Sequence, residues 1–207
     1  MYPELPSKLL NAAVEELAKL PGVGRKTALR LALHLLKQPR EDVAQFGNTF
    51  ITLRNEIKHC AVCHTLSDAD RCTVCSNPRR DHSTVCVVET IREMLSIENT
   101  QQYHGVYHVL GGIISPMDGV GPDDLTVTPL LQRAAAGNIR EIILALSTTM
   151  EGETTCFYLY KKLRDLPIAI TTIARGVGFG DDLEYTDELT LGRSIKNRQP
   201  FNSNFEG

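Results

Sequence analysis

Leu10, Ala13, Val14, Leu17 and Leu20 recur at intervals of three and four, the spacing of one helix face, and Ser7 stands where an N-cap belongs. Pro21-Gly22-Val23-Gly24 interrupts that face. A second amphipathic helix is expected from about Arg25, with Ala28, Leu31, Ala32 and Leu35 on one side, ending by Pro39. A third is expected from Glu41 to Ile57, carrying Val43, Phe46, Phe50, Leu53 and Ile57, with Gly47 as a weak point. Residues 58–80 then hold four cysteines, little apolar content and the turn signal Asn77-Pro78. A segment so short and polar cannot pack by itself.

From Val85 the pattern becomes α/β. Val85-Cys86-Val87-Val88-Glu89 reads as a buried strand, Ile91–Ile97 as a short helix and Val106–Leu110 as a second strand, followed by Gly111-Gly112. Thr128 is expected to cap a helix with Pro129 at its first position and Gly137 just past its end. Ile139–Leu146 reads as a third strand, Glu153–Leu163 as a helix, Ile168–Ala174 as a fourth strand and Asp187–Arg198 as a helical tail. Strands alternating with helices imply a mostly parallel sheet. No internal repeat or low-complexity run is present.

Composition changes this picture in two ways. The 207 residues are 42% hydrophobic and 23% charged, which places the chain among globular proteins. No apolar run approaches the roughly 20 residues of a membrane helix, and Met1-Tyr2-Pro3-Glu4-Leu5 lacks the features of a signal peptide, so a cytoplasmic protein is expected. Net charge is −3, unevenly spread: residues 1–80 hold 12 Lys/Arg and 8 Asp/Glu, whereas residues 81–207 hold 10 and 17. Any nucleic-acid contact is therefore expected in the N-terminal part.

Three groups of residues carry candidate chemistry. Cys60-x2-Cys63-x8-Cys72-x2-Cys75 places two knuckles close enough for four thiolates to surround one tetrahedral Zn²⁺, which fits better than a set of free or redox thiols. Such a site has no open coordination position, so its role is structural, its binding energy standing in for the missing core. His59 and His64 flank the first knuckle, but four cysteines already complete the shell. Cys86 and Cys156 fall in apolar stretches and read as core residues.

The second group is Leu20-Pro21-Gly22-Val23-Gly24-Arg25-Lys26-Thr27-Ala28, between two helices. Gly22 and Gly24 permit a sharp turn and close backbone approach. The turn amides and the next helix N-terminus point at one spot, suited to phosphate, with Arg25, Lys26 and Arg30 adding positive charge. This helix–hairpin–helix pattern grips DNA backbone without reading bases. The alternative is an ordinary corner with a solvated basic face. The Walker pattern is absent, so ATP is not expected here. The third group is acidic: Glu89 at the end of the first α/β strand, and Glu151 and Glu153 after the third. Carboxylates at the carboxyl ends of strands could hold Mg²⁺; alternatively Glu151 and Glu153 merely favour a helix N-terminus.

In order, the chain carries the 20–28 motif, the cysteines of 60–75, Cys-Ser-Asn-Pro-Arg-Arg at 75–80 and Cys-Val-Val-Glu at 86–89. Ser-Pro-Met-Asp-Gly-Val-Gly-Pro-Asp-Asp at 115–124, Glu-Gly-Glu at 151–153, Arg-Gly-Val-Gly-Phe-Gly at 175–180 and Leu-Glu-Tyr-Thr-Asp-Glu-Leu-Thr-Leu-Gly-Arg at 183–193 complete the set. This resembles the bacterial RecR recombination mediators over nearly the whole length. The resemblance implies an α+β protein in several parts: a helix–hairpin–helix region at 1–57, a four-cysteine zinc finger at 58–80, an α/β Toprim domain at 81–178 and a C-terminal oligomerisation tail at 179–207. It also implies one structural zinc per chain, partnership with RecO and RecF in repair of gapped or damaged DNA, and ring-like homotetramers that surround DNA.

One departure bears on chemistry. Catalytic Toprim proteins carry Asp-x-Asp just before Glu-Gly-Glu, and alignment on 151–153 puts Ser147 and Thr149 on the two aspartates. Hydroxyls bring no charge to a Mg²⁺ site, so the metal set is depleted and no enzyme activity is expected. The glutamates are then expected to dock a basic partner, RecO. The alternatives are a metal-dependent Toprim nuclease or primase-like enzyme, and a zinc-ribbon component of another complex. A smaller departure is Gly178-Phe179-Gly180, where the family resemblance implies a turn of another kind.

Overall fold

The computed structural model describes residues 5, 7–178 and 180–198. Phe179 and the end of the expected tail, 199–207, lie outside them. The chain divides into two units, 1–57 and 58–207.

In the first unit, α1 (Lys8–Ala18) starts where Ser7 accepts a hydrogen bond from the Leu10 amide, as the cap reading requires. A tight turn leads to α2 (Arg25–Leu35), and Pro39 caps α3 (Arg40–Glu56), which runs unbroken through Gly47. Val14 of α1 packs on Ala28 and Ala32 of α2, with Leu10, Leu17 and Leu29 around them. The small alanines let the two helices approach closely. α3 buries none of its residues within the chain: Phe46 and Phe50 stack edge-to-face at 5.0 Å yet remain about half exposed.

The second unit opens with a two-residue antiparallel hairpin, β1 (Lys58–His59) and β2 (Leu66–Ser67), and a single turn, α4 (Thr73–Ser76). Then follow β3 (Asp81–Val88), α5 (Ile91–Asn99), β4 (Gly105–Val109), α6 (Val127–Ala135), β5 (Glu141–Leu144), α7 (Met150–Leu163) and β6 (Ala169–Thr172). The sheet order is β4-β3-β5-β6 and every pairing is parallel. Alternation along β3 sends Val85 and Val87 to one core and Cys86 and Val88 to the other. Leu130 and Ala134 of α6 and Leu159 and Leu163 of α7 cover the first face; Met94 of α5 covers the second. Cys86 and Cys156 are buried core residues, and burial pushes the Cys86 thiol up to about 12. The tail forms α8 (Glu188–Lys196), capped by Asp187.

Two helix starts correct the sequence reading. α6 starts at Val127, with Thr126 before it and Pro129 at its third position, not its first. The reason is tertiary: the Thr126 hydroxyl donates to the Val109 carbonyl and its amide to the Leu110 carbonyl, anchoring the helix start on β4. Likewise α7 begins at Met150, three residues earlier than expected, because the Thr149 hydroxyl accepts from the Gly152 amide as N-cap. Gly137 behaves as expected, with φ at 82° just past α6. Among the described residues no helix is long and apolar enough to cross a membrane.

Candidate zinc centre, DNA-binding hairpin and Toprim crevice

The first knuckle is a reversed turn in which the His64 amide donates to the Cys60 carbonyl, with His64 at a positive φ of 62°. The second is α4, where the Cys75 amide donates to the Cys72 sulfur at 3.4 Å; the Cys72 amide donates to the Cys60 sulfur at 3.3 Å. The hairpin β1–β2 presents the first pair and α4 the second, and all four sulfurs lie within 4.8 Å of one another. A tetrahedron with Zn–S bonds of about 2.3 Å has edges of about 3.8 Å. Cys63 and Cys72 approach to 3.5 Å, and all four residues are buried. Burial opposes ionisation of Cys60, but amides of Cys72, Cys63 and Val62 outweigh it and bring the thiol down to about 6. The hydrogen bond to Cys75 and burial push Cys63 the other way. Only a shared cation holds four such neighbours as thiolates together. His59 and His64 stand outside the ligand set: His59 contacts the His64 carbonyl at 3.0 Å, and the His64 ring stacks edge-on to His108 at 5.2 Å.

In the hairpin of the first unit, Gly22 has φ 77°, a conformation that requires glycine. Gly24 is different. It caps α2 in an ordinary extended conformation, and nothing lies within 4 Å of where its side chain would be. Its missing side chain answers no need of the fold and leaves the α2 N-terminus open. Lys26 and Arg30 line a shallow groove along α2 with His34 and Lys37, and neither forms an ion pair among the described residues. Arg25 instead turns back to α1, donating to Asn11 at 2.9 Å.

The acidic residues lie where adjacent strands diverge. After β3 the chain turns to α5 on one face; after β5 it turns to α7 on the other, which opens a crevice at their carboxyl ends. Glu89 follows β3, and Glu151 and Glu153 occupy the first turn of α7. The Ser147 amide donates to Glu89 at 2.6 Å across the crevice. The Ser147 and Thr149 hydroxyls contact each other at 3.1 Å. Glu153 is ion-paired with Arg175. The three carboxylates thus share one edge, but they do not converge: among the described residues the only cluster of ligand atoms close enough for a metal is the four cysteines. Between the glutamates, a side chain on Gly152 would collide with the Ser147 carbonyl, so glycine is required there by close packing.

Four family models match in register with these features: the RecR helix-hairpin-helix at residues 10–52, the RecR four-cysteine zinc finger domain at 57–77, the Toprim domain at 83–174 and the RecR C-terminal region at 176–199. The chain is 60% identical to recombination protein RecR of Bacteroides thetaiotaomicron over 97% of its own length and 98% of that protein's. Against the RecR proteins of Porphyromonas gingivalis and Flavobacterium johnsoniae the identity is 56% and 53%, with 97% and 98% of this chain covered. The chain belongs to the RecR family of recombination proteins. As in the RecR zinc finger, its four cysteines hold one structural zinc.

Within this RecR fold, sequence reasoning overlooked three residues. Arg175 appeared only as the first letter of a motif, with no sign that it pairs with Glu153, 22 positions away. Arg133 carried no motif at all, yet from α6 it donates to the Tyr107 carbonyl at 2.8 Å. His108, fully buried in β4, donates through Nε2 to the Thr126 carbonyl at 2.8 Å. A histidine inside a strand was a visible signal; the two arginines were not.

Proposed function

We propose that this chain is a DNA-binding recombination mediator without enzymatic activity, acting with RecO and RecF on gapped or damaged DNA as a ring-like tetrameric clamp in the bacterial cytoplasm. The observation that carries the DNA-binding part is the open N-terminus of α2, with Lys26 and Arg30 free of ion pairs among the described residues on the helix that follows Gly22 and Gly24. Amides and cationic side chains aimed at one spot bind phosphate without regard to base. Gly22, Gly24, Lys26 and Arg30 make the contact, with Arg25 shaping the corner through Asn11.

The non-enzymatic part rests on the crevice. The position of one missing aspartate is a helix cap, that of the other is a hydroxyl turned to its neighbour, and Glu153 already has a cation in Arg175. Such an arrangement does not assemble the charge a Mg²⁺-dependent strand transfer needs. Glu89, Glu151 and Glu153 instead form an acidic edge for a basic partner, for which RecO is our assignment.

The oligomer is supported by apolar surface that the chain leaves uncovered, including Phe46, Phe50, Ile51 and Leu53 on α3, and Leu189 and Ile195 on α8. A few phosphate contacts per chain bind usefully only when several chains act together. We place the domain limits at 1–57, 58–80, 81–178 and 179–207, the last serving oligomerisation. Measuring solution mass with and without gapped duplex DNA tests the reading: four chains on one DNA is expected, and a monomer in both conditions overturns it.

A further inference from the structure

β4 is an edge strand, and its outward backbone groups need partners other than another strand. Two sources supply them. The Val109 amide donates to the carbonyl of Cys63, inside the first zinc knuckle, at 2.8 Å. The Tyr107 carbonyl accepts from Arg133 of α6 at 2.8 Å. In a strand, the carbonyl of one residue and the amide two residues on point the same way, so the guanidinium and the knuckle occupy neighbouring positions on one edge. Between them His108 stacks on His64, the residue after Cys63. Val74 of α4, between the two ligands of the second knuckle, packs against both cores of the sheet.

One Zn²⁺ and four thiolates make a dianion. A dianion set against an apolar core is costly unless a cation balances it. The nearby histidines are engaged otherwise: His64 packs edge-on against His108, and His108 Nε2 donates to the Thr126 carbonyl. Lys58 extends to Asp70 at 3.5 Å and both are largely exposed; Arg71 is exposed. Arg133 is half-buried. Burial weakens its hold on its proton, and the negative charge of Cys75 and Cys63 works in the opposite direction.

We propose that Arg133 is the counter-cation of the zinc centre: held on the β4 edge by Tyr107, it balances the tetrathiolate dianion, so the affinity for zinc is set partly by the Toprim domain rather than by the finger alone. The finger and the sheet are then one electrostatic unit, and loss of zinc leaves a half-buried charge uncompensated on the Toprim side.

The test uses the full chain and two substitutions. Arg133→Met keeps the length and removes the charge; Arg133→Lys keeps the charge and loses the planar fork. Zinc affinity is read by competition with a chromophoric chelator, with folding followed by circular dichroism. Residues that support metal ligands from outside typically change affinity by about 10–100-fold when lost. The methionine variant is expected to lose zinc affinity in that range and the lysine variant to recover most of it. Ile142→Val, which trims the same core without altering charge, controls for simple loosening and is expected to bind zinc as the parent does. Zinc binding by Arg133→Met at parental strength overturns the proposal. So does a lysine variant no better than methionine, or an equal loss in Ile142→Val.

Discussion

Arg175, in the segment after β6, donates to the carboxylate of Glu153 in the first turn of α7. Glu151, in the same turn, forms no ion pair among the described residues. The two glutamates of the Glu-Gly-Glu motif are therefore not equivalent towards a basic partner. Glu151→Lys is expected to weaken association with RecO more than Glu153→Lys, because Glu153 is already neutralised within the chain. The loss at Glu151 is about 2–5 kcal/mol if its contact is buried and far less at a rim. Titration of each variant with the partner, folding checked by circular dichroism, decides between them; unchanged affinity in a folded double mutant returns the glutamates to a helix-terminus role.

In the α1–α2 hairpin, Lys26→Ala is expected to weaken DNA binding about equally across sequences. Removing one cation from a phosphate flattens the salt dependence by roughly one unit of slope. Arg25→Ala acts differently: its guanidinium holds Asn11, so it is expected to lower the stability of the α1–α2 corner by about 1 kcal/mol. Binding isotherms at several salt concentrations, beside thermal unfolding, separate the two effects.

Cys72→Ser removes one sulfur and also weakens the cap on α4, since the Cys72 sulfur accepts from the Cys75 amide. Hydrogen exchange is expected to rise across 58–80 and at Val109, whose amide is held by the Cys63 carbonyl. Elemental analysis of the parent should return one zinc per chain. Exchange confined to 58–80, with Val109 still protected, would show that the finger and β4 are not coupled.

Burial holds the His108 imidazole down to about 4 in the folded chain. An unfolded histidine titrates near 6.5. Between those values the unfolded chain binds a proton that the folded chain excludes, so this residue is neutral to stability above about 6.5, imposes a penalty that grows as pH falls and levels off below about 4. The full effect is on the order of 3 kcal/mol. His108→Gln removes that pH dependence, so the variant is expected to lose less stability on acidification than the parent. Urea unfolding at pH 7 and pH 5 measures the difference, and parallel losses in both proteins would contradict the assignment.

The helices of the first unit, the strands of the sheet and the zinc knuckles were legible in the sequence because each rests on a local rule. Three- and four-residue spacing with Ser7 as cap defines α1, a short unbroken apolar run defines β3, and two Cys-x-x-Cys pairs define the metal site. The start of α6 was misplaced because a distant contact competed with a local signal. Thr128 and Pro129 formed a plausible helix start by themselves, but Thr126 has Val109 and Leu110 to hold it. The substitution of Ser147 and Thr149 for aspartates was visible in the sequence; that Thr149 caps α7 was not.

The sequence by itself determined which residues carry charge, thiol or conformational freedom, and through family membership the order of the parts. Their pairing was decided by the tertiary structure. Glu153 and Arg175 are 22 positions apart, Glu89 and Ser147 are 58, and Arg133 and Tyr107 are 26. No periodicity spans such distances. They are closed only when parallel strands align their carboxyl ends and an edge strand seeks partners for its backbone, and it is that alignment which gives a carboxylate its cation and a zinc centre its counter-charge.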